Sequence, residues 1–513
     1  TGGLSPSSKS VNSGPSSSGH SRCRKARFAG TLGSIYIGVT LCGVTKDFYL
    51  EKLGADPMVL SVLFFVVSLW APLNELLSGR LQGRQALQRW FAAERWGRKA
   101  PWLWTHTFLL AIACGVIFIP PPNAIVLHTW FAVGSLLIFW CVSTCLIAFE
   151  STRQEIYPYN EERSEVEVFC KFGCIAGMGY TMGPMLVLMA QSTFMLRLGS
   201  SAFFFVGALA FGMQAKPVWM EAKSVSDEGE AESSLIQDLK DTWPNIAFRH
   251  LCLVRFYDGF YQGIQATNVL YYLTYVLQLK GAERSMWVVW CGLANVAGDV
   301  SAGLVAGKAM MKRKNAFRIQ RWVVNLRAFD MVSTVAFLLI PLLLEDRGTV
   351  TGEAFGRLAF LAWQFVNRVC QSPFSLWRVG AQCWVVDEDI HGGDGKRREA
   401  AFIAVASASQ NFSRAFAAAL AFFGYGLVGL RPLDCEEECA EINTSACYDD
   451  CAARSILVQP AQLRWYIRLL YIVALPIFEA LVVWHTSCFP IHGIRLARLY
   501  NNQTAAIGGE GGY

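Results

Sequence analysis

The chain has 513 residues, 53% of them hydrophobic and 16% charged, with a mean hydropathy of +0.33. That composition excludes an ordinary soluble domain and a disordered chain, and predicts a polytopic membrane protein. The net charge of +6 does not predict a nucleic-acid partner, because the cations cluster in short loops between apolar spans, where they set topology.

The first 27 residues begin with a Ser/Gly/Pro-rich run, TGGLSPSSKSVNSGPSSSGH, and are expected to be a disordered tail with no cleaved signal peptide. Apolar windows of spanning length follow near 28–50, 57–79, 101–119, 125–148, 167–190 and 199–215. A polar, acidic linker over 216–249 then carries a short amphipathic stretch, LIQDLKDTW. Six more windows lie near 250–278, 285–306, 322–344, 355–385, 399–428 and 463–487, ahead of a tail over 491–513. The predicted fold is an all-α membrane protein of twelve transmembrane helices in two pseudo-symmetric six-helix bundles, 28–215 and 250–490.

Cations fall on alternate loops: Arg22, Arg24, Lys25 and Arg27, then Arg80 to Lys99, Lys308 to Arg321, and Lys396 to Arg398. The positive-inside rule therefore places both termini in the cytoplasm, of either a plasma-membrane or an endomembrane protein. Arg464 and Arg468, at the outer end of the last span, run against it. The loop at 429–462 falls on the opposite side and holds Cys435, Cys439, Cys447 and Cys451, each pair one helical turn apart. An oxidising compartment favours disulfides over a zinc site there. The nested pairing 435 to 451 and 439 to 447 is one of three connectivities. Asn443-Thr444-Ser445 is a glycosylation sequon.

The second span carries Asn74 and Glu75 within apolar sequence. A carboxylate inside a membrane helix is costly and faces protein or water, which makes Glu75 a functional candidate. NELLSGRLQGR is echoed 224 positions later by GDVSAGLVAGK, which sets Asp299 over Glu75, Gly303 over Gly79, Gly307 over Gly83 and Lys308 over Arg84. An acidic residue, two glycines four apart and a cation predict a close helix crossing at one end of each half. Arg80, Arg84, Asp299 and Lys308 are accordingly candidate gating residues at the interface between halves. A local pair between Glu75 and Arg80 is the simpler alternative. Arg255 and Asp258 are three apart and can pair on one helix face. Glu150 is expected to pair with Arg153.

LWAPLNELLSGR with RWGRKAPW, QEIYPYNEERSEV, and VVDEDIHGGDGKRREAAF stand in the order and topological positions of three family motifs. On these the chain resembles the major facilitator superfamily, in its glycoside-pentoside-hexuronide:cation symporter (melibiose permease-like) branch. The resemblance implies a cation-coupling site at Asn74, Glu75 and Ser143, with Ala71 in place of one family carboxylate. One carboxylate with two neutral oxygens suits a proton or a weakly held Na⁺. It further implies a substrate site at Ile35, Leu146, Lys171 and Asn411, where the family has sugar-binding aspartates, an arginine and a lysine; Arg414, one turn on, is offered as replacement for that lysine. Without the sugar-binding acceptors, an amphipathic or anionic solute is favoured over a neutral sugar. Lys171 can alternatively snorkel to the interface.

The expected function is secondary active transport of a small organic solute by a monomer in the bilayer, coupled to H⁺ or Na⁺, with no cofactor or metal. The alternative is a transport-inactive scaffold or sensor of the same fold. An enzyme is not expected, because the histidines form no metal-ligand spacing with acidic residues.

Overall fold

In the computed structural model the described residues are 22–53, 55–83, 99–121, 124–157, 160–190, 193–215, 242–279, 281–310, 318–345, 350–392, 399–430 and 456–509, with 237, 240, 450, 451 and 454 besides. They are helical. Six helices form the first half: α1 Arg22–Lys52, α2 Pro57–Gly83, α3 Ala100–Val116, α4 Ala124–Ile156, α5 Asn160–Ala190 and α6 Phe194–Met213. The second half contains α7 Ile246–Tyr271, which runs into a π-turn at Tyr272–Val276, then α8 Gly281–Met310, α9 Ile319–Glu345, α10 Val350–Gly392 and α11 Glu399–Leu427. The last pass, α12, is Ala461–Leu469, a π-turn at Leu470–Ala474, and Leu475–Ser487.

Seven of these helices (α1, α2, α4, α6, α8, α9 and α12) are long and apolar enough to cross a membrane by length and composition, and α3 is a shorter apolar one. The other passes carry more polar side chains, many of them turned inward: Asp258 in α7 and Asn367 in α10 are fully buried. Expected spans and observed helices agree in number and order. The helices run longer, and α10 reaches 43 residues.

Each half has its own core. One apolar cluster, from Phe28 to Ala215, is confined to α1–α6 and the short connections between them. Two others are confined to the second half, one around Phe248, Trp377 and Phe489 and one around Tyr272, Phe360 and Tyr471. Between the halves the apolar clustering shrinks to Ile147 with Ile403 and Ala404. The large clusters of fully buried apolar side chains therefore lie within the bundles.

Close helix contact inside the first bundle rests on glycine. A Cβ at Gly173 or Gly177 of α5 would overlap the backbone carbonyl of Ala29 or Gly33 in α1. Between bundles, a Cβ at Gly307 of α8 would overlap Val168 of α5, which is the close crossing expected at the end of the repeat.

The final segment is more than a tail. Gly493–Gly509 forms a helix, α13, whose Leu496, Leu499 and Tyr500 are buried in the second-half core. Arg495 clamps it to Glu388 of α10 at 2.6 and 2.9 Å. Most of the 216–249 linker, Arg84, Cys435, Cys439, Cys447 and Asn443 lie outside the described residues. Cys451 is buried.

Candidate functional site at the seam between bundles

Pro72 stands inside α2 and has no N–H to donate to the preceding turn. Asn74 and Glu75 follow it, 0% and 1% exposed. Glu75 Oε1 accepts from Asn411 Nδ2 of α11 at 2.5 Å, across the seam. Glu75 Oε2 and both amide atoms of Asn74 are buried without a hydrogen-bond partner. Three such atoms on adjacent residues, beside a contact between bundles, make this a candidate site.

The cations that act on Glu75 are Arg255 and Arg414, both from the other bundle. Arg80 is exposed, and no ion pair joins it to another described residue. The local Glu75–Arg80 pair is thus replaced by a contact that spans 336 positions of sequence.

Asp299, the repeat mate of Glu75, makes the mirror-image contact. It receives Lys171 of α5 at 3.3 Å, so here too an acidic residue late in the second helix of one half meets the other half. Lys171 is therefore neither snorkelling nor unpaired. Lys308 is exposed and forms no ion pair among the described residues, so the charge contacts between bundles that are described lie elsewhere.

They run instead along α5 and α10. Arg163 at the start of α5 forms two hydrogen bonds to Asp387 of α10, at 2.8 and 3.4 Å. One turn away, Gln154 Nε2 lies 3.8 Å from Cys383 Sγ. Behind this layer Arg153 bridges Glu150, the partner expected for it, and Glu167. These contacts join the bundles at the end of the molecule where the chain enters α1. Toward the opposite end Lys46 of α1 lies over the ring of Phe422 of α11, 4.6 Å from its centroid, and over Phe64 at 5.4 Å.

The remaining candidates separate. Ser143 is buried, but the hydrogen bonds that join α4 to α2 are Ser78 to the Thr144 hydroxyl at 2.8 Å and Gln82 to the Thr144 carbonyl at 3.1 Å. Among the described residues no hydrogen bond brings Ser143 to Asn74 or Glu75. Ile35 is buried in the first-half core, and Leu146 packs partly buried against it. Arg414 is exposed on α11, one turn beyond Asn411, and forms no ion pair among the described residues. Arg255 and Asp258 do not pair. Arg255 donates to Ser407 at 3.1 Å and to Gln382, while Asp258 faces Arg378, Arg327, Gln262 and Gln410. The neighbouring helices offer each a separate partner, and these outcompete the pairing along α7.

Two six-helix bundles with separate cores, which meet at a seam where two of the polar contacts are repeat-related, define a membrane transporter of the major facilitator fold. The chain belongs to the MFS/sugar transport protein family, whose model matches residues 26–493; its members are transporters and not enzymes. A bacterial homologue of the iron transporter ferroportin, in its outward-facing state, is similar in structure with a TM-score of 0.54 at 13% identity, covering 91% of this chain and 100% of that one. The proton:xylose symporter XylE, bound to 6-bromo-6-deoxy-D-glucose, gives 0.49 at 15% identity over 85% and 94%. No curated protein sequence matches the chain.

Proposed function

We propose that this transporter moves an amphipathic or anionic organic solute by alternating access, coupled to a cation at Glu75. The observation that carries the reading is the pair of mirror-image contacts, Glu75 with Asn411 and Asp299 with Lys171. Each is polar, largely buried, and made between bundles that keep separate apolar cores, so each can break when the bundles rock. A proton fits Glu75 better than Na⁺. Its one bonded oxygen meets an amide N–H, Ala71 supplies no second carboxylate, and two guanidinium groups stand near. Exposed Arg414, with Lys46 farther along, supports a negatively charged solute, because either cation binds a carboxylate or phosphate as a charge partner.

In this reading the protein is a monomer with both termini cytoplasmic, closed on the cytoplasmic side. The four loop cysteines form the bridges 435 to 451 and 439 to 447 on the far side. Reconstituted vesicles given an inward proton gradient should accumulate a solute chosen from an amphipathic and anionic library by thermal stabilisation of the protein. Absence of flux for every stabilising solute, under proton and Na⁺ gradients alike, would instead support a scaffold or sensor.

A further inference from the structure

Behind the seam, the second bundle buries a group of ionisable side chains that the coupling reading leaves unused. Asp258 on α7, Arg327 and Asp330 on α9 and Glu479 on α12 are all 0–1% exposed. Arg378 of α10, with 15% of its side chain exposed, pairs with Asp258. Arg327 is held between the rings of Phe374 and Tyr261, at 4.5 and 5.1 Å, and is shared between two acids. Its Nη2 lies 3.5 Å from Asp258 and its Nε 2.7 Å from Glu479 Oε1. The second contact is close but out of line, so neither atom counts as hydrogen-bonded, and Glu479 Oε2 is likewise buried without a partner.

Among the described residues no cation lies in ion-pair range of Asp330. Both its oxygens accept from a neutral group, the Asn367 amide, at 2.9 and 3.1 Å, and the neutral Gln371 amide stands beside it. Asn367 is itself fixed by Gln265, which donates to it at 2.9 Å. The other ionisable groups around the pair are Tyr261 on α7 and Arg368 and Cys370 on α10; Arg368 Nε is turned to Asn295 at 3.4 Å. Against three buried carboxyl groups stand two guanidinium groups in direct contact with any of them, and both of these touch Asp258. An uncompensated carboxylate in a membrane interior is costly enough that such a group takes up a compensating charge.

We infer that the second bundle holds a proton site of its own, formed by Asp330 and Glu479 and separate from Glu75. A proton is favoured over a metal cation by the donors present. Asn367 presents its N–H₂ to Asp330 and Arg327 presents a guanidinium to Glu479, and both repel a cation while leaving room for a hydrogen on the unpartnered Oε2. The two proton sites are linked through consecutive residues of α11. Asn411 binds Glu75, and Gln410 donates to Asp258 at 3.3 Å, which in turn meets Arg327. Movement of α11 as the bundles rock would therefore be felt at both.

The test needs no transport assay, so it stands or falls apart from the transport reading. Infrared difference spectra of the full chain in liposomes, recorded against pH, report the carbonyl stretch of protonated carboxyl groups. We expect that band to persist in Glu75→Gln and to lose intensity in Asp330→Asn or Glu479→Gln. Complete loss of the band in Glu75→Gln would overturn the inference, as would spectra of both second-bundle variants identical to the parent. Bleaching of their component by added Na⁺, but not by choline, would assign the site to a metal cation and overturn it equally. Should Asp330→Asn and Glu479→Gln fail to fold, Asn367→Ser removes the donor to Asp330 and should shift the frequency of the band. An unshifted band would count against the site.

Discussion

Asn411 donates to Glu75 at 2.5 Å, and this single hydrogen bond joins the second helix of one bundle to the eleventh helix of the whole. Its repeat counterpart, Lys171 with Asp299 at 3.3 Å, joins the fifth helix to the eighth. An internal sequence repeat has become a two-fold related pair of polar contacts, one neutral-to-acid and one fully charged. The asymmetry bears on the proposed coupling. Asp299 is paired with a lysine, whereas Glu75 meets an amide and keeps an unpartnered oxygen, which is why the proposal assigns the proton to Glu75.

Replacing Glu75 by Gln should abolish uphill uptake driven by a proton gradient and leave solute exchange near the parent rate, because the glutamine mimics the protonated acid. Counterflow and gradient-driven uptake measured on the same vesicles separate the two. Uphill transport at the parent level would move coupling away from Glu75.

Arg163→Ala removes both hydrogen bonds to Asp387 at the end where the chain enters α1. Cys383, buried one turn from Asp387 and facing Gln154, is a native reporter of opening there. Its labelling by a membrane-permeant maleimide should rise several-fold in the variant, and in Asp387→Asn as well. Unchanged labelling in both would show that these side chains do not hold the bundles closed.

Gly177→Ala should destabilise the first bundle by about 1–3 kcal/mol, the usual cost of overpacking a close contact, because the new methyl meets the Gly33 carbonyl rather than a side chain that can move. Gly179→Ala, with open space at the same atom, is the matched control. Thermal unfolding in detergent should give a lower midpoint for the first and an unchanged one for the second.

Arg327→Gln keeps much of the side-chain volume but withdraws the charge facing Asp258 and Glu479. Breaking a buried ion pair from one side costs about 3–5 kcal/mol. The variant should therefore unfold at a markedly lower temperature in detergent, and Asp258→Asn in the same background should recover part of the loss. A double variant no more stable than Arg327→Gln would mean that Arg378 alone balances Asp258.

The composition, the spacing of apolar windows and the 224-residue echo determined that this is a membrane protein of two six-helix halves, and they singled out Glu75 and Asp299 as equivalent positions. Those features are local or periodic, so they are written in the chain itself. Which side chain answers each charge was decided only by the tertiary structure. Arg255 and Asp258, three residues apart, turn to different helices, while Lys171 and Asp299, Arg163 and Asp387, and Glu75 and Asn411 meet across separations of 128, 224 and 336 positions. The docking of the last helix through Leu496, Leu499 and Tyr500 was equally invisible in a segment that reads as a tail. The reason is geometric: a pairing across helices depends on the rotation and axial register of each helix against its neighbours, and hydropathy records only which residues leave water, not whom they meet when they do.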